Sequence, residues 1–310
     1  MKNFINIDLV SKKCLKTIIK DAKQFKYSRI GLRNGAADKR RFLENSIVGL
    51  IFEKPSTRTR VSFDVGIRQM GGKTMVLSAN NLQLGNGETI QDTAKILSLY
   101  LDMLLVRTSD ENKLLELAAH ASVPVINGLT DNSHPCQVMA DIMTFEELKG
   151  SIKGKKVVWV GDGNNVCASY IHAAVQFDFG LTIAAPIEFS PDKQLVAWAK
   201  KCGAEVVVVM DVNKAVDGAD LVVTDTHLSM HNDLSEAKRR LEILRSYQVN
   251  EELMSKAKHD AIFMHCLPAH RNVEVSEGVI DGSQSVVFQE AENRLHVQKA
   301  IMKWCFDKID

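Results

Sequence analysis

Residues 156–165 read Lys-Val-Val-Trp-Val-Gly-Asp-Gly-Asn-Asn, and this stretch decides the fold. Val157, Val158, Trp159 and Val160 are apolar without alternation. A strand of that kind needs apolar neighbours on both faces, which is the condition inside a parallel sheet. Gly161 and Gly163 then allow a tight turn, and a helix follows. The same kind of apolar run recurs at 46–52, 103–107, 123–127, 181–185, 205–210, 221–225 and 261–267. Between such runs lie helical patterns: Ile90, Ala94, Leu97 and Leu101 fall on one helical face. Strands alternating with helices predict the α/β class, with parallel sheets flanked by helices.

The chain has 310 residues, and at roughly 150 residues per domain it holds about two domains. The polar, glycine-containing segment Lys149-Gly150-Ser151-Ile152-Lys153-Gly154-Lys155-Lys156 precedes a new strand and marks the boundary. The expected domains are therefore 1–149 and 150–289. A final helix over 290–310 is expected to return to the first. Lys and Arg total 39, Asp and Glu 38, for a net charge of +1. That balance excludes a strong global attraction to nucleic acid or to an anionic membrane. The six cysteines form no CxxC pair and no zinc-finger spacing with histidine. They read as reduced thiols, and no structural metal is expected. Neither a signal peptide nor a run of ~20 apolar residues is present, so a cytoplasmic location is expected.

Five stretches carry chemistry. Glu53-Lys54-Pro55-Ser56-Thr57-Arg58-Thr59-Arg60 follows a strand and opens a helix. A helix start offers free N–H groups and about half a positive charge. Hydroxyls and a guanidinium fork complete an anion site that lacks the glycines and lysine of a P-loop. His134-Pro135-Cys136-Gln137 precedes another helix, with Pro135 suited to the first turn. There His134 can polarise a carbonyl and Gln137 can bond an amide in both directions. In the 160–165 turn the third glycine of a dinucleotide fingerprint is replaced by Val166, and no acid ends the next strand, so a nicotinamide cofactor is not expected. Asp225 ends a strand within Thr224-Asp225-Thr226-His227-Leu228-Ser229-Met230, where a carboxylate can bind an ammonium. Finally, His265-Cys266-Leu267-Pro268 places a thiol at a strand's carboxyl end. Cys136 and Cys167 read as packing residues.

Taken together, these motifs resemble the aspartate/ornithine carbamoyltransferase family. The matching residues are 56–59 (Ser-Thr-Arg-Thr), 83–85 (Gln-Leu-Gly), 106–108 (Val-Arg-Thr), 134–137, 161–165, Asp225 with Ser229-Met230, 265–268, and Glu292-Asn293-Arg294. They run in the family's order and span nearly the whole chain. The resemblance implies two α/β domains joined by crossing helices, and a homotrimer in which Gln83 reaches a neighbour's site. It assigns Ser56, Thr57, Arg58, Thr59, Gln83, Arg107, His134, Gln137, Cys266, Leu267 and Arg294 to carbamoyl phosphate. It assigns Asn165, Asp225, Ser229 and Met230 to L-ornithine. Cys266 points to the ornithine side of the family, because the aspartate side carries His-Pro-Leu-Pro there.

The implied reaction is carbamoyl transfer from carbamoyl phosphate to the side-chain amine of ornithine, with Arg107, His134 and Cys266 as the catalytic residues. Neither a metal nor an organic cofactor is required. The ornithine loop departs from the family's Ser-Met-Gly: it reads Ser229-Met230-His231, with His227 where tryptophan is common. Two rival readings follow from that departure and from the fold. One is a carbamoyltransferase for another amine, such as putrescine or an N-acylated ornithine. The other is a ligand-binding relative without turnover, against which the full phosphate set argues.

Overall fold

The computed structural model describes residues 2–78, 87–228 and 234–307. Gln83, Ser229, Met230 and His231 lie outside the described residues. The described chain divides into two compact units, residues 1–143 with 293–310, and residues 144–292. The divisions fall at 143/144 and 292/293.

The strands are β1 (Ile47–Phe52), β2 (Lys73–Ser78), β3 (Met103–Arg107), β4 (Val125–Leu129), β5 (Lys156–Val160), β6 (Gly180–Ala184), β7 (Val206–Val209), β8 (Leu221–Thr224) and β9 (Ile262–His265). The helices are α1 (Lys12–Tyr27), α2 (Thr57–Gln69), α3 (Ile90–Tyr100), α4 (Glu111–His120), α5 (Pro135–Lys149) and α6 (Asn165–Phe177). They continue with α7 (Lys193–Lys201), α8 (Val212–Val216), α9 (Leu234–Leu244), α10 (Glu251–Met254), α11 (Glu277–Ile280) and α12 (Val287–Phe306). Each run that reads as buried from sequence is a strand, with ends shifted by a residue or two. β2 is the exception that such reading misses. It is an edge strand with mostly exposed or half-exposed side chains, so it shows no continuous apolar run.

Unit 1 holds a parallel sheet in the order β2-β1-β3-β4, and unit 2 one in the order β7-β6-β5-β8-β9. In each sheet the order reverses once. The reversal lies between β1 and β3 in unit 1, and between β5 and β8 in unit 2. At such a point neighbouring connections leave toward opposite faces, and a crevice opens beyond the strands' carboxyl ends. Each of the two sheets has one such point.

The cores are what the valine-rich runs require. In unit 2, Val158, Val160, Val222, Phe263, Leu244 and Tyr247 belong to one buried cluster. In unit 1, Ile51, Leu104, Val106, Leu114, Leu117 and Val125 form another. Among the described residues no helix is long and apolar enough to cross a membrane.

Candidate functional site

In unit 1 the reversal point lies at Phe52 and Arg107, which are paired in register at the ends of β1 and β3. Beyond Phe52 the chain enters α2, with Ser56 at its N-cap in extended conformation. Ser56 makes no capping hydrogen bond from its side chain among the described residues. The helix start thus keeps N–H donors that a capping serine would have used. Thr57 and Arg58 are exposed there, while Thr59 is buried.

Two guanidinium groups meet at Thr59. Arg107 Nη1 donates to its Oγ1 at 3.1 Å and Arg294 Nη2 donates at 2.8 Å. Arg294 Nη1 also donates to Gln137 Oε1, and Gln137 Nε2 donates to Asp141 Oδ1 at 2.8 Å. Arg294 comes from α12 and Gln137 from the first turn of α5. The α5 start sits beyond β4, where Pro135 occupies the first helical position. His134 precedes it and is buried. Burial holds the His134 imidazole well below its usual range, and the charges of Arg294 and Arg107 add to that effect. It is a neutral ring beside two cations, able to donate one N–H without carrying charge.

The anion set of the sequence is thus gathered at one sheet edge: Ser56, Thr57, Arg58 and Thr59 from α2, Arg107 from β3, His134 and Gln137 from α5, and Arg294 from α12. Glu53 was not singled out by its residue type, yet it braces this edge. Its backbone N–H donates to Arg107 O at 3.0 Å, and its carboxylate accepts from Thr108 Oγ1 and, at 2.6 Å, from Lys113 Nζ. Cys136 is a packing residue as expected: its Sγ donates to Asn127 O at 3.3 Å, and burial pushes the thiol up to about 12. Cys167 is likewise buried and pushed upward.

In unit 2 the reversal point joins the turn after β5 to the end of β8. Gly161 has φ +114, and a Cβ there would stand 2.8 Å from His227 Nε2. A Cβ on Gly163 would collide with the Pro191 backbone nitrogen. Both positions require glycine for space, and Gly161 also for its φ. The turn presents Asn164 as the N-cap of α6, its Oδ1 accepting from Val166 N and Cys167 N. Asn164 Nδ2 donates to Asp225 Oδ2 at 2.7 Å. Asn165, the residue flagged by sequence, is the first helical residue beside it. Asp225 Oδ1 accepts from Thr226 N at 2.7 Å and from Cys266 Sγ at 3.0 Å. Asp225 and Cys266 therefore meet, as β8 and β9 pair with Thr224 opposite His265. Leu267 follows in a left-handed conformation, φ 56, and its N–H donates to His265 Nδ1 at 2.9 Å.

Asp225, His265 and Cys266 are the one group of potential metal donors among the described residues. Asp225 is engaged by Asn164 Nδ2, Thr226 N and the Cys266 thiol. The Cys266 thiol donates to Asp225, and the Nδ1 lone pair of His265 accepts Leu267 N–H. His265 Nε2 faces the buried Glu274 Oε1 at 3.4 Å.

Sequence reasoning missed three participants here: Asn164, Asp162 and Arg240. The Asn164 signal was present, since asparagine before a helix is a favoured cap. Its second bond, to Asp225, depends on the parallel pairing of β5 with β8 and leaves no local mark.

Comparison with known proteins agrees with this arrangement. Residues 2–147 match the aspartate/ornithine carbamoyltransferase carbamoyl-P binding domain, and residues 153–305 match the Asp/Orn binding domain of the same family. The chain is 57% identical over 305 residues to the ornithine carbamoyltransferase of Ruegeria pomeroyi, covering 98% of this chain and 99% of that one. It is 59% identical over 305 residues to that of Roseobacter denitrificans, with the same coverage. Among solved structures, the ornithine carbamoyltransferase from Pyrococcus furiosus superposes with a TM-score of 0.91 at 44% identity, covering 97% of this chain and 96% of that one. With two family domains matched in order and relatives above half identity along nearly its full length, the chain belongs to the aspartate/ornithine carbamoyltransferase family.

Proposed function

We propose that this chain transfers the carbamoyl group of carbamoyl phosphate to the side-chain amine of L-ornithine, giving L-citrulline and phosphate. The observation that carries the reading is the convergence of Arg107 and Arg294 on Thr59, beside neutral His134 and an uncapped helix start. Carbamoyl phosphate carries about two negative charges near neutral pH. Arg58, Arg107 and Arg294 more than offset them, and the free N–H groups of α2 point to the same charge.

The chemistry follows from these groups. Thr59, Arg107 and His134 donate to the carbonyl oxygen, where negative charge grows as the amine attacks. One such donor contributes on the order of 2.7–4 kcal/mol to the transition state. The lone pair of the ornithine nitrogen forms the new C–N bond. The C–O bond to phosphate then breaks, and the departing phosphate takes the proton from nitrogen. The arginines that bind the substrate also stabilise that leaving group. In unit 2, Asp225 and the Cys266 sulfur accept from ornithine's amino groups. Asn165, Ser229 and Met230 complete the acceptor set, and Leu267 with Gln83 completes that for carbamoyl phosphate. A homotrimer, in which Gln83 serves a neighbouring copy, and a cytoplasmic location belong to the same reading. So does a place in arginine metabolism.

The test is product formation from carbamoyl phosphate with ornithine, putrescine, N-acetylornithine and aspartate in parallel. Citrulline from ornithine, with little product from the others, is the expected result. Preference for another amine would move the error to residues 225–233. Binding of carbamoyl phosphate without any product would overturn the enzyme reading. Sedimentation equilibrium reads the trimer directly.

A further inference from the structure

Arg240 lies on α9, the helix that follows residues 229–233, and three loops of unit 2 converge on its guanidinium. Nη2 donates to Asp162 Oδ2, in the turn after β5. Nε donates to the backbone carbonyl of His227 at 3.1 Å, in the segment after β8. The guanidinium carbon stands 4.3 Å from the ring centroid of Phe189, in the segment after β6. Phe189 in turn accepts from Gly163 N through its carbonyl at 2.7 Å. The Arg240 and Asp162 side chains are 14% and 20% exposed. This is a desolvated pair, unlike a solvated surface one, and such a pair holds geometry.

We propose that Arg240 is a positioning residue for the acceptor: it ties the three loops together and cancels the charge of Asp162, so that Asp225 alone presents a carboxylate to the amine. This rests on the acceptor half-site described above. Asp162 is close enough to Asp225 for their charges to repel, and burial already pushes the Asp162 carboxyl upward while Arg240 draws it down. Asp162 also governs the residue that holds Asp225. Its carbonyl accepts from Asn164 N at 2.8 Å, and Asn164 Nδ2 donates to Asp225. Without Arg240, the mostly shielded Asp162 carboxylate is left beside Asp225 with no compensating cation among the described residues. The His227 carbonyl loses its donor two residues before Ser229. A lysine supplies the charge but neither the second donor in a fixed fork nor the flat face against Phe189.

The experiment uses the full chain with R240Q, R240K and the double variant D162N/R240Q. Steady-state kinetics with ornithine are paired with calorimetric titration of carbamoyl phosphate. R240Q is expected to raise the ornithine KM tenfold or more and to lower kcat by a smaller factor. Carbamoyl phosphate affinity should stay within twofold. R240K should recover part of the loss, and D162N/R240Q should show a lower ornithine KM than R240Q, because the uncompensated carboxylate is gone. A wild-type ornithine KM in R240Q overturns the proposal, and so does an equal loss of carbamoyl phosphate affinity, which marks a general scaffold role. If R240Q fails to fold, the double variant decides: near-wild-type kinetics support charge cancellation, and a second failure to fold overturns it. If the wild-type chain makes no citrulline from ornithine, it is the function reading that fails.

Discussion

Arg294 Nη2 donates to Thr59 Oγ1 at 2.8 Å, although 235 residues of chain separate them. Both groups are buried, and Arg107 donates to the same oxygen. A hydroxyl oxygen accepting from two cations is a small acceptor for so much positive charge. The arrangement is preorganised for an anion that brings more acceptors. Its donors are already aimed, so little reorganisation is needed when charge develops. Burial is the main reason that the His134 ring stays neutral, and the two fixed cations add to it.

Arg58 differs from the other two arginines. It is exposed and makes no hydrogen bond among the described residues. Its contribution therefore appears only with substrate. Arg58→Ala is expected to leave the melting temperature within about a degree of wild type and to lower kcat/KM by about 10- to 150-fold. That follows from a charge-assisted hydrogen bond contributing about 1.5–3 kcal/mol. Citrulline assays at saturating ornithine check it, and wild-type turnover would sink the phosphate-site assignment.

Thr59→Val keeps the shape and removes the acceptor shared by Arg107 and Arg294. Buried donors left unpaired cost about 1–3 kcal/mol, so urea denaturation is expected to show a loss of that size. Thr59→Ser restores the oxygen and should return most of the stability and activity. Equal behaviour of the valine and serine variants would mean that the shared hydroxyl has no role.

Much of this was legible in the sequence, for identifiable reasons. Both-face burial marks β5, β8 and β9 by their apolar runs, and a strand followed by Ser-Thr-Arg-Thr marks an anion-binding helix start. β2 was not legible, because an edge strand with Lys73 exposed and Met75 half in solvent has no pattern to show. The Asn164–Asp225 and Cys266–Asp225 bonds were illegible for a different reason. They arise from the strand order β5-β8-β9, which brings segments 41 and 61 residues apart into contact. Arg240 was hidden by its neighbourhood, since an arginine in Lys-Arg-Arg-Leu-Glu reads as a solvated helix face.

Asp225→Asn is expected to separate the two substrates. The asparagine keeps an oxygen to accept from Cys266 and Thr226 but loses the charge that attracts an amine. Ornithine kcat/KM should fall by about 100-fold, in line with about 1.5–3 kcal/mol for a hydrogen bond to a charged group. Carbamoyl phosphate affinity, measured by calorimetry, should be unchanged because its ligands in unit 1 are untouched. A parallel loss of both affinities would argue that Asp225 serves the fold instead.

Three buried histidines set the pH dependence of stability. Burial lowers His134 well below its usual range, His227 to about 4 and His296 to about 3. Each is neutral in the folded chain at pH 7. In the unfolded chain each takes up a proton near pH 6.5, the ordinary value for histidine. Below that pH the unfolded state binds more protons, so stability falls as pH falls; above it the histidine contribution is complete. The loss is about 1.4 kcal/mol per pH unit for each histidine. Urea midpoints measured from pH 7.5 down to 5 should therefore decline. His227→Gln should reduce the slope by one histidine's share while leaving activity between pH 6 and 9 without a new ionisation, since His227 stays neutral across that range. A slope unchanged in His227→Gln would show that this ring is already free to protonate in the folded chain.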